Sequence, residues 1–139
     1  MLTKTFILAG HAIFTTENPH GERYTYRVVH KPANNGYKES WFVSLLAGPD
    51  NTSDYVYLGL LNPATLSLRL TARSKMISSS KPVRVFDWIT SLIRSEKNVP
   101  DGYKLCHCGR CGRCGRLLTV PASVESGIGP ECAKIMSEV

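Results

Sequence analysis

Five cysteines, at positions 106, 108, 111, 114 and 132, carry most of the chemistry open to this chain. Four of them fall within nine residues, too close together for an ordinary disulfide framework, and an odd total leaves one without a mate. Thiols clustered in this way point to a metal ion held in a reducing compartment. A redox dithiol would show one Cys-x-x-Cys on a thioredoxin-like strand-to-helix turn, and that setting is missing. Cys111-Gly112-Arg113-Cys114-Gly115 instead has the form of a zinc knuckle. Two cysteines separated by two residues reach one ion from a tight turn. The glycine that follows admits a positive φ, which brings backbone N–H groups toward the sulfurs.

Cys132 is the expected third ligand. It follows Gly127-Ile128-Gly129-Pro130, and Pro130 suits the first turn of a terminal helix. A thiol in that turn lies near the positive end of the helix dipole, which favours the thiolate that zinc requires. For the fourth position, spacing leaves His107, Cys108 and Cys106 open. Cysteine is the softer ligand. Yet Cys108, Cys111 and Cys114 on one ion would need two successive knuckle turns around it. A catalytic zinc keeps one position free for water beside a general base. A full, cysteine-dominated set argues for an ion that holds shape. The deaminase pattern, a phosphate-binding glycine loop and a nucleophile elbow are all absent from the sequence, so the chain is expected not to be an enzyme.

The elements that must position these ligands form an α+β arrangement. Ala12 to Thr16 and Arg23 to His30 flank the turn cluster Asn18-Pro19-His20-Gly21 and make a hairpin. In its second arm Tyr24, Tyr26 and Val28 share one face, while Arg23, Thr25 and Arg27 share the other. Trp41, Val43 and Leu45 alternate in a third strand, Tyr55 to Leu61 gives a fourth, and Leu66, Leu68 and Leu70 suggest a fifth. The period then becomes helical over about residues 82–97, with Ser80 and Pro82 at its start and Asn98 and Pro100 beyond its end. The expected molecule is an antiparallel sheet of about five strands packed by one amphipathic helix (residues 1–100). A zinc-binding subdomain closed by a short helix follows (101–139). Between Cys114 and Cys132 a short strand, Leu117 to Val120, and a polar turn around Ser123 to Gly127 are expected.

Seventeen Lys and Arg against eleven Asp and Glu give a net charge of +6. Lys104, Arg110, Arg113 and Arg116 lie in a stretch without a carboxylate from Gly102 to Val124. Such a patch suits nucleic acid, through its phosphate backbone or as a single strand, with Tyr24, Tyr26, Trp41 or Tyr57 as stacking faces. The same arginines also offset the net charge near −1 of three thiolates and one Zn2+, and the same rings suit a sheet core. No apolar run approaches the roughly 20 residues that span a bilayer, and Met1 to Ala12 lacks the pattern of a secretory leader. A cytoplasmic protein without membrane contact is expected.

His107, Cys111-Gly112-Arg113-Cys114-Gly115-Arg116, Leu118-Thr119-Val120-Pro121 and Gly127-Ile128-Gly129-Pro130-Glu131-Cys132 resemble a family of small uncharacterised zinc-knuckle proteins found mainly in bacteriophages. Thr25-Tyr26-Arg27, Trp41-Phe42-Val43 and Tyr57-Leu58-Gly59 share that likeness more weakly. The resemblance implies a histidine four residues before the first knuckle cysteine, which maps onto His107; the cysteines at 106 and 108 depart from the pattern. It also implies a bacterial host cell as the setting. Two functions follow as expectations: nucleic-acid binding through the basic knuckle, or a phage accessory protein that binds and modulates a host or defence-system protein.

Overall fold

The computed structural model describes residues 2–50, 53–118 and 121–137. Along the chain the elements are α1 (Lys4–Ile7), β1 (His11–Glu17), β2 (Arg23–Lys31), β3 (Ser40–Leu46), β4 (Tyr55–Leu61), β5 (Leu68–Arg69), α2 (Lys81–Arg94), β6 (Lys104–His107), α3 (Pro121–Ser126) and α4 (Pro130–Ser137). The strands form one antiparallel sheet in the order β5-β4-β3-β2-β1-β6.

Alternation decides which face of the sheet is dry. Ala12, Phe14 and Thr16 of β1 are buried, as are Tyr26 and Val28 of β2 and Val43 and Leu45 of β3. Register places these residues opposite one another: Phe14 meets Tyr26, Tyr26 meets Leu45, and Val28 meets Val43. Helix α2 covers this face with Val83, Phe86, Ile89, Thr90 and Ile93. The Phe86 ring stands edge-on to Tyr26, 5.1 Å between centroids. The buried Tyr26 hydroxyl is satisfied by donating to the Pro82 carbonyl at 2.7 Å, which ties the sheet to the start of the helix. At the hairpin turn, Asn18 Oδ1 accepts from the N–H groups of His20 and Glu22.

The architecture corrects the strand and helix bounds in several places. The sheet has six strands, because Lys104–His107 adds to the free edge of β1, with Phe14 opposite His107 and Thr15 opposite Cys106. The segment expected to lie in the metal subdomain therefore begins as an edge strand of the main sheet. The fifth strand is two residues long, not a run from Leu66 to Leu70. Leu66 takes a left-handed φ of 59°, in a turn that Asn62 organises by accepting the Leu66 N–H on its carbonyl and the Ala64 N–H on its side chain. The amphipathic helix stops at Arg94, short of residue 97, since Glu96 turns to a φ of 56°. Where a polar turn was expected, Pro121–Ser126 forms α3, with proline at its first position and Gly127 (φ 79°) just past its end. The expected strand Leu117 to Val120 is represented by one bridge, Leu117 to Arg110, and its last two residues lie outside the described ones.

No helix among the described residues is long and apolar enough to cross a membrane.

Candidate metal centre

The knuckle is built as a hairpin on the end of β6. Arg110 bridges Leu117, the Cys111 N–H donates to the Arg116 carbonyl (2.8 Å), and the Gly115 N–H closes the turn on the Cys111 carbonyl (2.9 Å). Gly115 has a φ of 80°, as the glycine after the second cysteine was expected to. This hairpin is docked, not free-standing. Gly112 is the joint: its carbonyl accepts the His11 N–H at the start of β1, and its N–H donates to the Gly127 carbonyl at the end of α3. A Cβ on Gly112 would lie 2.5 Å from the Phe6 ring, so only glycine allows that approach.

Turn and helix together bring three thiols to one point. The sulfurs of Cys111, Cys114 and Cys132 all lie within 4.8 Å of one another. Thiolates tetrahedrally placed at about 2.3 Å from a zinc ion would stand roughly 3.8 Å apart, so the trio is close to a coordinating arrangement. Cys111 and Cys132 are buried, and Cys114 is exposed. Cys132 occupies the first turn of α4, as expected from Pro130.

The surroundings favour the anion at Cys111 and oppose it at Cys132. The Arg113 N–H points at Cys111 Sγ (3.4 Å) and Arg113 Nη1 donates to Cys132 Sγ (3.5 Å). Burial pushes the Cys111 thiol up, but the N–H groups of Gly129, Cys114 and Arg113 and the Cys114 thiol bring it down to about 7. Burial pushes the Cys132 thiol up, and the neighbouring Cys114 and Cys111 add to that against the pull of Arg113. Three sulfurs sharing one site cannot all ionise cheaply without a cation between them. This donor set could hold a metal ion.

Among the described residues no fourth ligand joins the three sulfurs: His107, Cys106 and Cys108 all lie outside the cluster, on opposite faces of the sheet. His107 is half-buried and shares its face with Phe14, its ring centroid 5.8 Å from that of Phe6. A Cβ on Gly127 would lie 3.4 Å from its Cδ2, so the ring borders the segment that carries the knuckle. Its Nδ1 accepts the Gly109 N–H at 2.9 Å. Cys106, opposite Thr15, and Cys108, which lines a groove with Tyr55 and Arg27, are exposed on the other side of the sheet. The four basic residues singled out for nucleic acid are solvent-exposed and each has a protein partner. Lys104 meets Glu17 (3.6 Å), Arg110 donates to the Gly115 carbonyl (3.1 Å), Arg113 to Cys132, and Arg116 meets Glu131 (3.7 Å). Of the proposed stacking rings, Tyr26 is core. Trp41 donates to the Leu8 carbonyl and stacks on His30, and Tyr24 packs on the core edge. Tyr57 lies half-buried on the open face.

A family of unknown function, DUF6011, matches the chain over residues 106–137, the segment that holds all five cysteines. No curated protein and no solved structure matches the chain.

Sequence reasoning missed Phe6. The Phe6-Ile7-Leu8-Ala9 patch reads as a short apolar stretch near the start, yet α1 delivers Phe6, fully buried, into the joint between Gly112, Gly127 and His107. The available signal was an apolar pair after Thr3, whose hydroxyl caps α1 by accepting the Phe6 N–H.

Proposed function

We propose that Cys111, Cys114, Cys132 and His107 hold a structural zinc ion, and that the protein is a non-enzymatic nucleic-acid-binding module built around it. The observation that carries this reading is the convergence of three sulfurs from a knuckle and a helix start, with a guanidinium donating to one of them. Thiolate-rich tetrahedral sets are those of structural zinc. Strand alternation supports His107 over Cys108 as the fourth ligand, since it turns Cys108 to the opposite face. Because Nδ1 accepts the Gly109 N–H, a neutral ring carries its proton on Nε2. Ligation would need that proton to leave or the Gly109 bond to open.

When bound, the ion would supply cross-linking and charge neutralisation, leaving Arg110 and Arg116 to face solvent beside a centre of low net charge. These arginines and Lys104 would contact phosphates. Titration of labelled single- and double-stranded DNA and RNA at rising salt tests this. Affinity should fall steeply with salt, and replacing Arg110, Arg113 and Arg116 by Gln should weaken it. Absence of binding to any of them at low salt would remove the reading.

A second reading, an accessory protein that docks on and modulates a host or defence-system protein, is favoured by one feature. A cleft of about 370 Å³ beside Cys132 presents Leu117 and Ile135, 66% and 46% exposed. Retention of a stoichiometric protein partner after nuclease treatment, lost on Leu117→Asp, would support this reading against the first. The phage setting and a cytoplasmic site of action in a bacterial host belong to the same proposal.

A further inference from the structure

The sheet has a second face, and it differs from the first in every respect that bears on binding. Neither α1 nor α2 packs on it. Its strand residues alternate with the core positions: Ile13 and Thr15 on β1, Arg23, Thr25, Arg27 and Lys31 on β2, Phe42 on β3, Tyr55 and Tyr57 on β4. All are half-buried or exposed. Among the described strand residues of this face the one carboxylate is Glu17, which meets Arg23 (3.3 Å) at the edge. A groove of about 860 Å³ runs across it from Cys108 and Arg110, at the foot of the knuckle, to Tyr55. Three guanidiniums, of Arg23, Arg27 and Arg110, line this groove, and no carboxylate does.

Arg27 stands at the centre. Its guanidinium lies over the Tyr55 ring, 4.1 Å from the centroid, which holds the group against the sheet. Its Nε is buried and has no hydrogen-bond partner among the described residues. A buried N–H donor without an acceptor costs stability unless something brings one. On the same face, outside the groove and across β3 from Arg27, Phe42 and Tyr57 pair across strands, ring centroids 6.1 Å apart. Cationic donors that want anionic oxygens, next to aromatic rings on an open sheet, are the two halves of a single-strand site: phosphates on the arginines, bases on the rings. A duplex would offer its phosphates but hide its bases from Phe42 and Tyr57.

We propose that this open face is a platform for single-stranded nucleic acid, with Arg23, Arg27 and Arg110 on the phosphates and Phe42 and Tyr57 under the bases. The inference rests on the nucleic-acid reading above and moves its main contact from the knuckle to the sheet, with Arg110 as the link between them. Five strands from β6 to β4 span about 19 Å, enough for a few nucleotides.

The test is fluorescence anisotropy of the full-length, metal-loaded protein with a labelled oligothymidylate of about 12 nucleotides and with a duplex of the same length. The expected result is a preference for the single strand. Arg23→Gln with Arg27→Gln should weaken binding by about tenfold or more and lower the salt slope by about 1.4, the loss of two phosphate contacts. Phe42→Leu with Tyr57→Leu should cost at least about fivefold with little change in that slope. Arg113→Gln with Arg116→Gln should cost less than the sheet pair. Arg27→Lys, which keeps the charge but removes the Nε donor, should also weaken binding, with circular dichroism checking that the sheet stays folded. If the strand binds but only the Arg113 and Arg116 variants weaken it, the platform is wrong while the nucleic-acid reading survives. A preference for the duplex also overturns the platform alone. Binding to neither the single strand nor the duplex at low salt removes both readings, as does binding only to phosphatidylserine vesicles that the Arg23 and Arg27 variants abolish.

Discussion

The two ends of this molecule are held together by different means. From β1 to α2, cohesion comes from large side chains excluded from water: Phe14, Tyr26, Leu58, Phe86 and Ile89 are all fully buried. Beyond residue 108 the buried apolar side chains of the described residues are few: Leu118, Ile128, and the cysteines 111 and 132. A segment with so little apolar surface to hide does not order itself by burial. Its hairpin and helices are held by backbone bonds through Gly112 and by Phe6 reaching in from the other end of the chain, and a metal ion on Cys111, Cys114 and Cys132 would cross-link them. The contrast teaches where each part is vulnerable. The sheet fails by losing volume, and the C-terminal part, on the proposed metal reading, by losing its cross-link.

The largest effect should come from the cross-link. Cys132→Ser, or chelation, should remove hydrogen-exchange protection from residues 109–137 while β1 to β4 stay protected. Metal–thiolate association in small domains is worth about 10 kcal/mol or more. Loss of protection throughout the sheet as well would break the comparison. Next in size, Phe6→Ala and Phe86→Ala should each cost about 3–5 kcal/mol in denaturant unfolding. They should part company on metal affinity, which Phe6→Ala weakens and Phe86→Ala leaves alone. Gly112→Ala should cost about 1–3 kcal/mol, because its methyl must displace the Phe6 ring. Tyr26→Phe should cost about 1 kcal/mol for the lost bond to Pro82, with no change in metal content. Smallest of all, Arg116→Gln should leave unfolding unchanged within error, since its ion pair with Glu131 is exposed on both sides.

The sheet was legible because its period is clean. Alternation in Arg23 to His30 puts Tyr24, Tyr26 and Val28 on one face and Arg23, Thr25 and Arg27 on the other, and the structure buries Tyr26 and Val28 of the first. Knuckle spacing and Pro130 single out Cys111, Cys114 and Cys132, whose sulfurs lie within 4.8 Å of one another. Long-range docking was not legible. Nothing in Lys104 to His107 says that it will pair with β1, because a four-residue edge strand carries too short a pattern. The contact of Phe6 with Gly112 joins residues more than a hundred positions apart, and no local rule reaches that far. Leu66 misled for a physical reason: Asn62 enforces a turn that overrides the alternation of the leucines.

The central claim, a zinc ion held by three cysteines and His107, is tested most directly by the metal-to-protein ratio of the purified chain and of two single variants. One zinc per chain is expected in the wild type and in Cys108→Ser, and a fraction of that in His107→Ala. A folded wild type without bound metal would contradict the centre itself. Full loading in His107→Ala with loss in Cys108→Ser would contradict the assignment of its fourth ligand.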